Sequence, residues 1–207
     1  MIHNKGEKTK NSQPLLVIIS GPSGVGKDAT LDIMKQAGLS YHYVVTATTR
    51  SKRPREKDGI DYWFISENKF QQMVKKNQFL EWAKVYGNYY GVPKREIKDA
   101  LKQGLDVVVK VDVQGAATIK RIIPDALFIF LMPPSTEELA NRLQQRYGLS
   151  SAELKVRLGK AQEEMESLPI FDYIITSHTD NLALTADQVN AAVTTAKCQT
   201  KPRVISL

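Results

Sequence analysis

The sequence predicts an α/β fold in which a parallel β-sheet is flanked by helices on both faces. Short apolar runs alternate along the chain with longer stretches of helical periodicity, and this alternation is typical of βαβ units. A glycine-rich loop follows the first apolar run directly, as in the strand–loop–helix units that bind phosphate. The 207 residues suffice for one domain with a small inserted lobe.

Four apolar runs have the length and composition of buried strands. They are residues 15–20, 105–111, 126–132 and 172–177. The stretches between them predict helices, several of which end at a glycine or before a proline. These helices are residues 27–38, 94–103, 114–122, 135–146, 151–167 and 182–196.

Residues 46–92 differ from the rest of the chain. They combine a basic loop, a tyrosine-rich run and two short alternating segments, DYWFI and FLEWAKV, around one helix. Alternation of this kind is typical of half-buried strands. We therefore expect a small mixed α/β lobe inserted into a core formed by residues 14–45 and 93–196, placed to bring a second substrate to the glycine-rich loop.

The net charge of +7 is concentrated in three short segments. Residues 1–13 contribute +2, residues 50–58 contribute +3 and residues 197–207 contribute +3, so the remainder of the chain sums to −1. A nucleic-acid-binding protein instead presents a broad basic face. We expect no nucleic-acid partner, and we expect the two terminal tails, residues 1–13 and 197–207, to be disordered.

Cysteine usage and apolar run length bear on the compartment. Cys198 is the only cysteine, which favours a reducing compartment and a cytoplasmic location. The longest apolar run, ALFIFLM, is far shorter than the roughly 18 residues of a membrane span. The polar N-terminus lacks a secretory pattern. We expect no membrane association.

The stretch GPSGVGKDAT resembles a phosphate-binding loop until its last positions. Gly21, Gly26 and Lys27 match the motif G-x-x-x-x-G-K-[ST], but Asp28 occupies the place of the hydroxyl that normally reaches Mg²⁺. Thr30 lies two positions later and points elsewhere on the helix. Lys27 is expected to bridge the β- and γ-phosphates, with the loop amides and the helix N-terminus completing the site.

Two aspartates are candidate metal ligands. Asp28 offers a carboxylate to Mg²⁺, although its charge repels nearby phosphates, and it is equally explained as an acid favoured by the helix dipole. Asp112 ends the strand VVVKV, where acids of a parallel sheet face the ligand crevice. Asp112 is also placed to be the N-cap of the next helix. A metal contact through water is expected at Asp112.

Four segments carry a resemblance to the guanylate kinases, nucleoside monophosphate kinases with a phosphate-binding loop. GPSGVGK, TATTRSKRPRE.DGIDYWF, FLEWAKVYGNYYGVP and VDVQGA occur in that family's order and spacing, within a similarity over residues 15–196. The resemblance implies a P-loop core, a GMP-binding lobe and a helical lid at about residues 142–160. It implies the reaction of ATP and GMP to ADP and GDP, with Mg²⁺ as cofactor.

The resemblance also implies which residues bind the two nucleotides. Arg50 and Arg53 match the arginines that hold the GMP phosphate, which two guanidinium forks suit. Tyr62 and Tyr90 match tyrosines whose hydroxyls reach the same phosphate. The ATP-binding loop would comprise Gly21, Pro22, Ser23, Gly24, Val25, Gly26, Lys27, Asp28 and Ala29.

Guanine recognition is assigned by the same resemblance to Glu81 and Thr46, with Asp112 lining the GMP site. The Glu81 carboxylate would accept from guanine N1–H and N2–H₂, a donor pair that adenine lacks, so discrimination of about 10⁴-fold is expected. Val92 is also assigned to the GMP-binding residues, although it stands where the family usually has Ser or Thr, so one polar contact is expected to be lost. Ser177 replaces an Asn near adenine.

Arg146 and Arg157 match lid arginines that close on the transferring phosphate, and Arg142 is expected to assist them. With Lys27 they form the expected catalytic set. Such cations neutralise the charge that develops as two polyanions meet. A general base is not required, because the acceptor is a phosphate oxygen that is mostly ionised at neutral pH, with a second pKa of about 6.

Two other functions fit parts of the sequence. The related ribose bisphosphate phosphokinases can carry Asp after the loop lysine, whereas Glu81 and the run EWA..YGNYYG favour a guanylate kinase. Guanylate-kinase-like domains of scaffold proteins bind peptides without catalysis, but here Lys27 and the lid arginines persist. We expect an active Mg²⁺-dependent enzyme with ATP and GMP as partners, dGMP as a further candidate, and a monomer or small homo-oligomer.

Overall fold

The computed structural model describes residues 13–85, 87–178 and 180–207. Over these residues the chain forms strands and α-helices that alternate for most of its length. In chain order they are β1 (Leu16–Ser20), α1 (Lys27–Gln36), β2 (Tyr41–Tyr43), β3 (Ala47–Thr48), β4 (Trp63–Phe64), α2 (Glu67–Lys75), β5 (Phe79–Val85), β6 (Asn88–Pro93), α3 (Lys94–Lys102), β7 (Asp106–Lys110), α4 (Val113–Ile122), β8 (Leu127–Met132), α5 (Thr136–Tyr147), α6 (Ser151–Met165), β9 (Tyr173–Thr176) and α7 (Leu182–Lys197).

The core is a five-stranded sheet in the order β2-β7-β1-β8-β9. Its paired strands are parallel, and β1 in the centre is buried along its whole length. The helical crossovers that parallel strands require cover both faces of such a sheet. The predicted α/β class is therefore confirmed, and the carboxyl ends of β1, β7 and β8 lie together at one edge.

Two apolar clusters hold the helices against this sheet. On one face, Met34 of α1 and Val189 of α7 pack on Val17 and its neighbours. On the other face, Ile97 of α3 and Ile119 of α4 pack on the sheet. All of these named side chains are buried. Burial of their apolar surface therefore fixes the strands and helices that carry the site.

The inserted lobe is a four-stranded sheet in the order β4-β3-β6-β5. Phe70 of α2 is completely buried and stacks on Phe79 and Tyr89 at ring-centroid distances of 4.6 and 5.3 Å. These aromatic contacts give the lobe a small core of its own. Of the predicted lobe segments, FLEWAKV forms β5, whereas only Trp63–Phe64 of DYWFI is a strand.

The segment predicted to form the lid comprises α5 and α6, which are called the lid below and pack on each other through Leu139, Leu143 and Ala161. Helix α5 ends at Gly148, whose φ of +58° is a left-handed conformation that suits glycine. Helix α6 begins with a capping box: Ser150 and Glu153 each accept from the other's backbone N–H. These end signals fix the turn that reverses the chain between the two lid helices.

The C-terminal segment differs from the sequence-based expectation. Residues 197–207 were predicted to be disordered, but Ile205 packs against the core and Arg203 Nη1 donates to the Ala126 carbonyl at 2.8 Å. The segment docks because its basic side chain finds a carbonyl and the Asp172 carboxylate (3.2 Å) beside an apolar surface. The predicted N-terminal tail falls on residues 1–12, outside the described residues, and on Gln13, which is exposed.

None of the helices in the described ranges combines the length and the apolar character needed to cross a membrane.

Candidate active site

A deep cleft of about 270 Å³ lies where the carboxyl edge of the core sheet, the lobe and the lid meet. Side chains from all three parts line it. Those from the predicted site are Gly21, Ser23, Gly24, Val25, Gly26, Lys27, Asp28, Thr46, Arg50, Arg53, Tyr62, Glu81, Tyr90, Asp112, Arg146 and Arg157. The structure thus brings together residues that the sequence places up to about 130 positions apart.

The glycine-rich loop is held tightly against the end of β8. A Cβ at Gly21 would lie 2.3 Å from the Leu131 carbonyl oxygen, and the Gly21 φ is +144°, so only glycine fits there. Gly26, with a φ of +107°, directly precedes α1. The loop therefore delivers its backbone to the N-terminus of a helix, the geometry that binds phosphate.

Lys27 is folded back onto this loop. Its Nζ donates to the carbonyls of Gly21 at 2.5 Å and Pro22 at 3.1 Å. Burial lowers the pKa of Lys27, and the charges of Glu164, Asp28 and nearby groups oppose that effect. Two residues predicted to bind ATP, Pro22 and Ala29, do not line the cleft. The Pro22 carbonyl instead accepts from Lys27.

Asp28 is paired with two cations. Its carboxylate forms a salt bridge with Lys110 Nζ, and its Oδ2 lies 3.5 Å from Arg146 Nη2 of the lid. Burial raises the pKa of Asp28, but Lys110, Arg146 and Lys27 outweigh it and hold the pKa well below its usual range. The negative charge that the sequence placed beside the phosphates is therefore compensated by side chains of the protein itself.

The two arginines of the basic loop share one carboxylate. Arg50 donates in bidentate fashion to Glu56, at 2.8 and 3.0 Å, and Arg53 Nη1 lies 3.9 Å from the same group. Burial raises the pKa of Glu56, yet Arg50 and Arg53 more than reverse this and lower it. Fork-to-fork pairing orients Arg50 in the cleft wall, while Arg53 remains 44% exposed.

Tyr62 and Tyr90 stand beside these arginines. Their rings meet edge to face at a centroid distance of 6.0 Å, and the Arg50 guanidinium lies 5.4 Å above the Tyr62 ring. Burial raises the pKa of Tyr62, so its hydroxyl remains a donor at neutral pH. The four residues predicted to bind the GMP phosphate, the two arginines and the two tyrosines, thus lie together on one side of the cleft.

Glu81 occupies the inner wall of the cleft. It is only 6% exposed, and its Oε2 has no hydrogen-bond partner among the described residues. Burial, and secondarily the charge of Asp112, raises the pKa of Glu81 to about 8. Thr46 lines the same cleft and is 7% exposed. A buried carboxylate without a partner is costly unless a ligand supplies donors.

Val92 does not reach the cleft, contrary to its assignment as a GMP-binding residue. Its side chain is fully buried and packs in the apolar cluster that also holds Leu80 and Ile97. An apolar side chain at the junction of β6 and α3 gains more from that core than from a polar cleft. The correction removes Val92 from the set of substrate contacts.

The lid arginines divide into two groups. Arg146 and Arg157 line the cleft, with guanidinium carbons 5.4 and 4.4 Å from the Tyr147 ring centroid. Arg142 instead faces the back of the glycine-rich loop, where it donates to the carbonyls of Val25 at 2.7 Å and Ser177 at 2.8 Å. Arg142 was predicted to be catalytic, but these two hydrogen bonds place it behind the glycine-rich loop, where it supports the loop. We call this contact of Arg142 with Val25 and Ser177 the brace of the loop.

Ser177 belongs to the same brace. It is fully buried, and its Oγ, which lacks a partner among the described residues, would lie 3.1 Å from a Cβ at Gly26. That approach is tight, and it adds to the left-handed φ of +107° that already favours glycine at Gly26. The short hydroxyl side chain thus packs against the loop.

The candidate metal ligands differ in their suitability for Mg²⁺. Asp112 lies at the carboxyl end of β7 in the cleft and caps α4, accepting from the Gly115 N–H at 2.8 Å. Mg²⁺ commonly takes one or two carboxylates together with water and substrate phosphates, so Asp112 fits that role. Asp28 does not, because Lys110 and Arg146 already engage its carboxylate. Within the described chain, no three His, Cys, Asp or Glu side chains form a metal-holding group.

Sequence reasoning missed several residues that line the cleft. Lys110, Tyr147 and Glu164 are among them, and they reach the site through strand pairing and helix packing. It also missed Glu56, which lies outside the cleft lining and accepts from Arg50. Glu164 illustrates the difficulty: burial raises its pKa, and the opposing charge comes from Lys27 in another element. The one available signal was a lysine at the end of a buried strand, where apolar residues are expected.

Comparison with known proteins supports this interpretation of the cleft. The family model "Guanylate kinase" matches residues 13–196. Guanylate kinase 2, chloroplastic/mitochondrial, of Oryza sativa subsp. japonica is 41% identical over 196 residues, which cover 94% of this chain and 69% of that protein. The guanylate kinase of Halalkalibacterium halodurans is 37% identical over 185 residues, covering 89% and 90%.

A solved structure is similar over most of its length. The crystal structure of guanylate kinase from Anaplasma phagocytophilum has a TM-score of 0.73 and 28% sequence identity, and the match covers 92% of this chain and 89% of that one. The core sheet, inserted lobe and lid therefore occur together in a protein of similar size.

Proposed function

Because the chain belongs to the guanylate kinase family, we propose that its cleft transfers the γ-phosphoryl group of ATP to GMP, giving ADP and GDP. The cleft supports this assignment by holding two phosphate-binding groups of residues. The loop from Gly21 to Lys27 suits the triphosphate, and the group around Arg50 and Tyr62 suits the monophosphate.

The observation that carries the proposal is the buried carboxylate of Glu81. Its unpartnered Oε2 lies in the wall of the same cleft. Guanine offers N1–H and N2–H₂ to an ionised carboxylate, whereas adenine, cytosine and uracil present no such donor pair. A buried acceptor left unpaired disfavours the wrong base strongly. The site therefore suits a guanine monophosphate as acceptor, and dGMP shares that base.

The chemistry requires positioning and charge neutralisation. A phosphate oxygen of GMP attacks the γ-phosphorus of ATP, the bond from that phosphorus to the β,γ-bridging oxygen breaks, and ADP leaves with that oxygen. Arg50, Arg53 and the tyrosine hydroxyls orient the attacking phosphate. Lys27, with Arg146 and Arg157 of the lid, neutralises the transferring group and the departing ADP.

Mg²⁺ completes the charge balance in this class of reaction. We propose that Asp112 holds it through water, together with the substrate phosphates. The bound ion would neutralise charge on the β- and γ-phosphates. Replacement of Asp112 also removes the cap of α4, so metal binding and helix stability are both expected to respond.

We further place the reaction in purine nucleotide metabolism, since it interconverts guanine nucleotides. A reducing compartment such as the cytoplasm fits the single free and exposed Cys198.

A coupled assay of ADP release across GMP, AMP, UMP, CMP and ribose 1,5-bisphosphate tests the proposed function. With MgATP we expect GMP to exceed the other nucleotides in kcat/KM by about 10⁴-fold. The variant Lys27→Ala is the matched inactive control. Turnover of ribose 1,5-bisphosphate in place of GMP would assign the related sugar-phosphate kinase activity, and GMP binding without any turnover would indicate a binding module.

A further inference from the structure

Lys110 is the last residue of β7, and its ammonium group lies inside the cleft. It forms the salt bridge with Asp28, contacts the Tyr62 hydroxyl at 3.2 Å and lies 4.7 Å above the Tyr62 ring. Asp28 belongs to the helix that follows the phosphate loop, and Tyr62 belongs to the lobe. The lysine therefore stands between the donor side and the acceptor side of the cleft.

The position is an unusual one for a lysine with a purely structural role. Its side chain is only 18% exposed, and the residues before it in β7 are apolar and buried. Buried ammonium groups are costly unless they are paired. Asp28 supplies the pairing through its salt bridge to the ammonium group, which satisfies the charge of Lys110 inside the cleft.

Asp28 does not cancel the positive charge of its surroundings. Its carboxylate faces Lys110 on one side and Arg146 of the lid on the other, so these three side chains carry a net charge of +1. A carboxylate that contacts two cations orients them. It is poorly placed to bind a third cation, because a metal ion would have to displace one of them.

We propose that Lys110 is a further phosphate-contacting cation of the transfer site, and that Asp28 is its positioning residue and not a metal ligand. The ligand class is the phosphoryl oxygens of the two nucleotides, and the inference rests on the proposed function. The ammonium group neutralises charge where the transferring phosphoryl group passes between Lys27 and the arginines of the lobe. Asp28 thereby replaces the usual loop hydroxyl without leaving an uncompensated charge.

A double-mutant cycle tests the pair. The variants are Lys110→Met, which keeps length and removes charge, Asp28→Ala, and the double variant, with Lys110→Arg as the charge-conserving rescue. Lys110→Gln is a second neutral variant in case the methionine variant fails to fold. Lys102→Met is the matched control, since Lys102 is exposed in the last turn of α3 and does not line the cleft.

Kinetic measurements should distinguish a catalytic role of the Lys110–Asp28 pair from a salt bridge that only stabilises the fold. We expect Lys110→Met to lower kcat by about 10²-fold or more, as the loss of a cleft donor does, with a smaller change in KM for GMP. Asp28→Ala should lower kcat by up to about 10²-fold, as misplacement of a reacting group does. In the Lys110→Met background its effect should be clearly smaller, since residues that act as one unit are not additive and only the contact with Arg146 is then lost. Lys110→Arg should recover part of the loss.

Metal binding provides a readout that does not depend on turnover. Mn²⁺ titration of the ADP complex, followed by electron paramagnetic resonance, should give affinities for Asp28→Ala and the native chain that agree within about twofold. A loss of Mn²⁺ affinity of about 10-fold or more in Asp28→Ala would overturn the positioning role of Asp28. Equal effects of Asp28→Ala in both backgrounds would overturn it as well.

The role of Lys110 fails if its neutral variants keep native kcat and lose only thermal stability. That outcome is distinct from failure of the proposed function. The proposed function fails if the native protein does not phosphorylate GMP, a result that is known before any variant is compared.

Discussion

Glu81 is buried, yet its proposed role in guanine binding requires the ionised carboxylate. Its pKa is raised to about 8 by burial and by Asp112, so at pH 7 the unliganded carboxyl mostly holds a proton. Guanine binding through N1–H and N2–H₂ requires the ionised form, which the ligand's two donors would stabilise. From the proposed role of Glu81 we therefore expect binding of GMP to be linked to release of a proton from this residue.

We predict that GMP binding weakens as pH falls from about 8 to 6.5, by up to about tenfold per pH unit. The sign follows from the raised pKa: below it the protonated carboxyl must be ionised before it can accept. Calorimetry of GMP binding at several pH values, in buffers of different ionisation enthalpy, measures both the affinity and the released proton.

The variant Glu81→Gln is the control for this effect. It should bind GMP more weakly at pH 8.5 and show little pH dependence over the same window. Tighter binding by the native protein at low pH, or binding without proton release at pH 7, would contradict the assigned role of Glu81.

At the scale of elements, the docked C-terminal segment is the clearest departure from sequence-based expectation. Arg203 Nη1 bonds the Ala126 carbonyl and the Asp172 carboxylate, and Asp172 Oδ2 also accepts from the Phe128 N–H at 2.8 Å. One arginine thus fastens the segment to the two turns that begin β8 and β9. This end of the sheet lies opposite the edge that carries the cleft.

We predict that Arg203→Ala lowers the free energy of unfolding by about 1–3 kcal/mol, because it removes the donor to the Ala126 carbonyl and the nearer of the two cations beside the Asp172 carboxylate. For a chain of this size that corresponds to a fall in Tm of roughly 2–4 °C per kcal/mol. Urea titration and thermal unfolding measure it. Lys201→Ala, at an exposed position of the same segment, should be neutral, and equal effects of the two substitutions would refute the docking contact.

At the scale of the whole molecule, lobe and lid approach each other across the cleft. Tyr147 of the lid has Arg53 of the lobe on one side, at 5.8 Å from its ring centroid, and Arg157 of α6 at 4.4 Å. The cleft is lined by many cations, and like charges in a confined space repel. Binding of two polyanionic nucleotides removes that repulsion.

We predict that GMP together with a non-hydrolysable ATP analogue decreases the radius of gyration, because the lid and lobe close on neutralised charge. Small-angle X-ray scattering of the protein with neither, one and both nucleotides measures this change. Scattering curves that superimpose in all four states would show that the cleft does not close.

The sequence predicted the parts of the structure that local patterns determine. The four longest core strands and the six predicted helices are present with boundaries that agree within a few residues, because each has a continuous periodicity and its own end signals. The strands β2, β3 and β6 escaped prediction. β2 and β3 are too short to show a period, and β6 contains a glycine and a proline, so pairing with neighbouring strands forms them.

The same distinction holds for the site. The glycine-rich loop, the Arg50 group and Glu81 were predicted because the residues of each lie close together in motifs. The partner of Asp28 was not, because Lys110 is 82 positions away and meets it only when β7 is placed beside β1. The brace formed by Arg142 also depends on packing between separate elements.

The amino-acid sequence by itself therefore determined the fold class and the phosphate loop of this protein, since these depend on spacing along the chain. Through its resemblance to a family's motifs it also supplied the proposed nucleotide-binding residues. The tertiary structure alone decided how the charge of Asp28 is compensated, which way Arg142 faces and whether the C-terminal segment docks. Those outcomes depend on which charges and carbonyls packing brings within a few ångströms, and no local pattern specifies them.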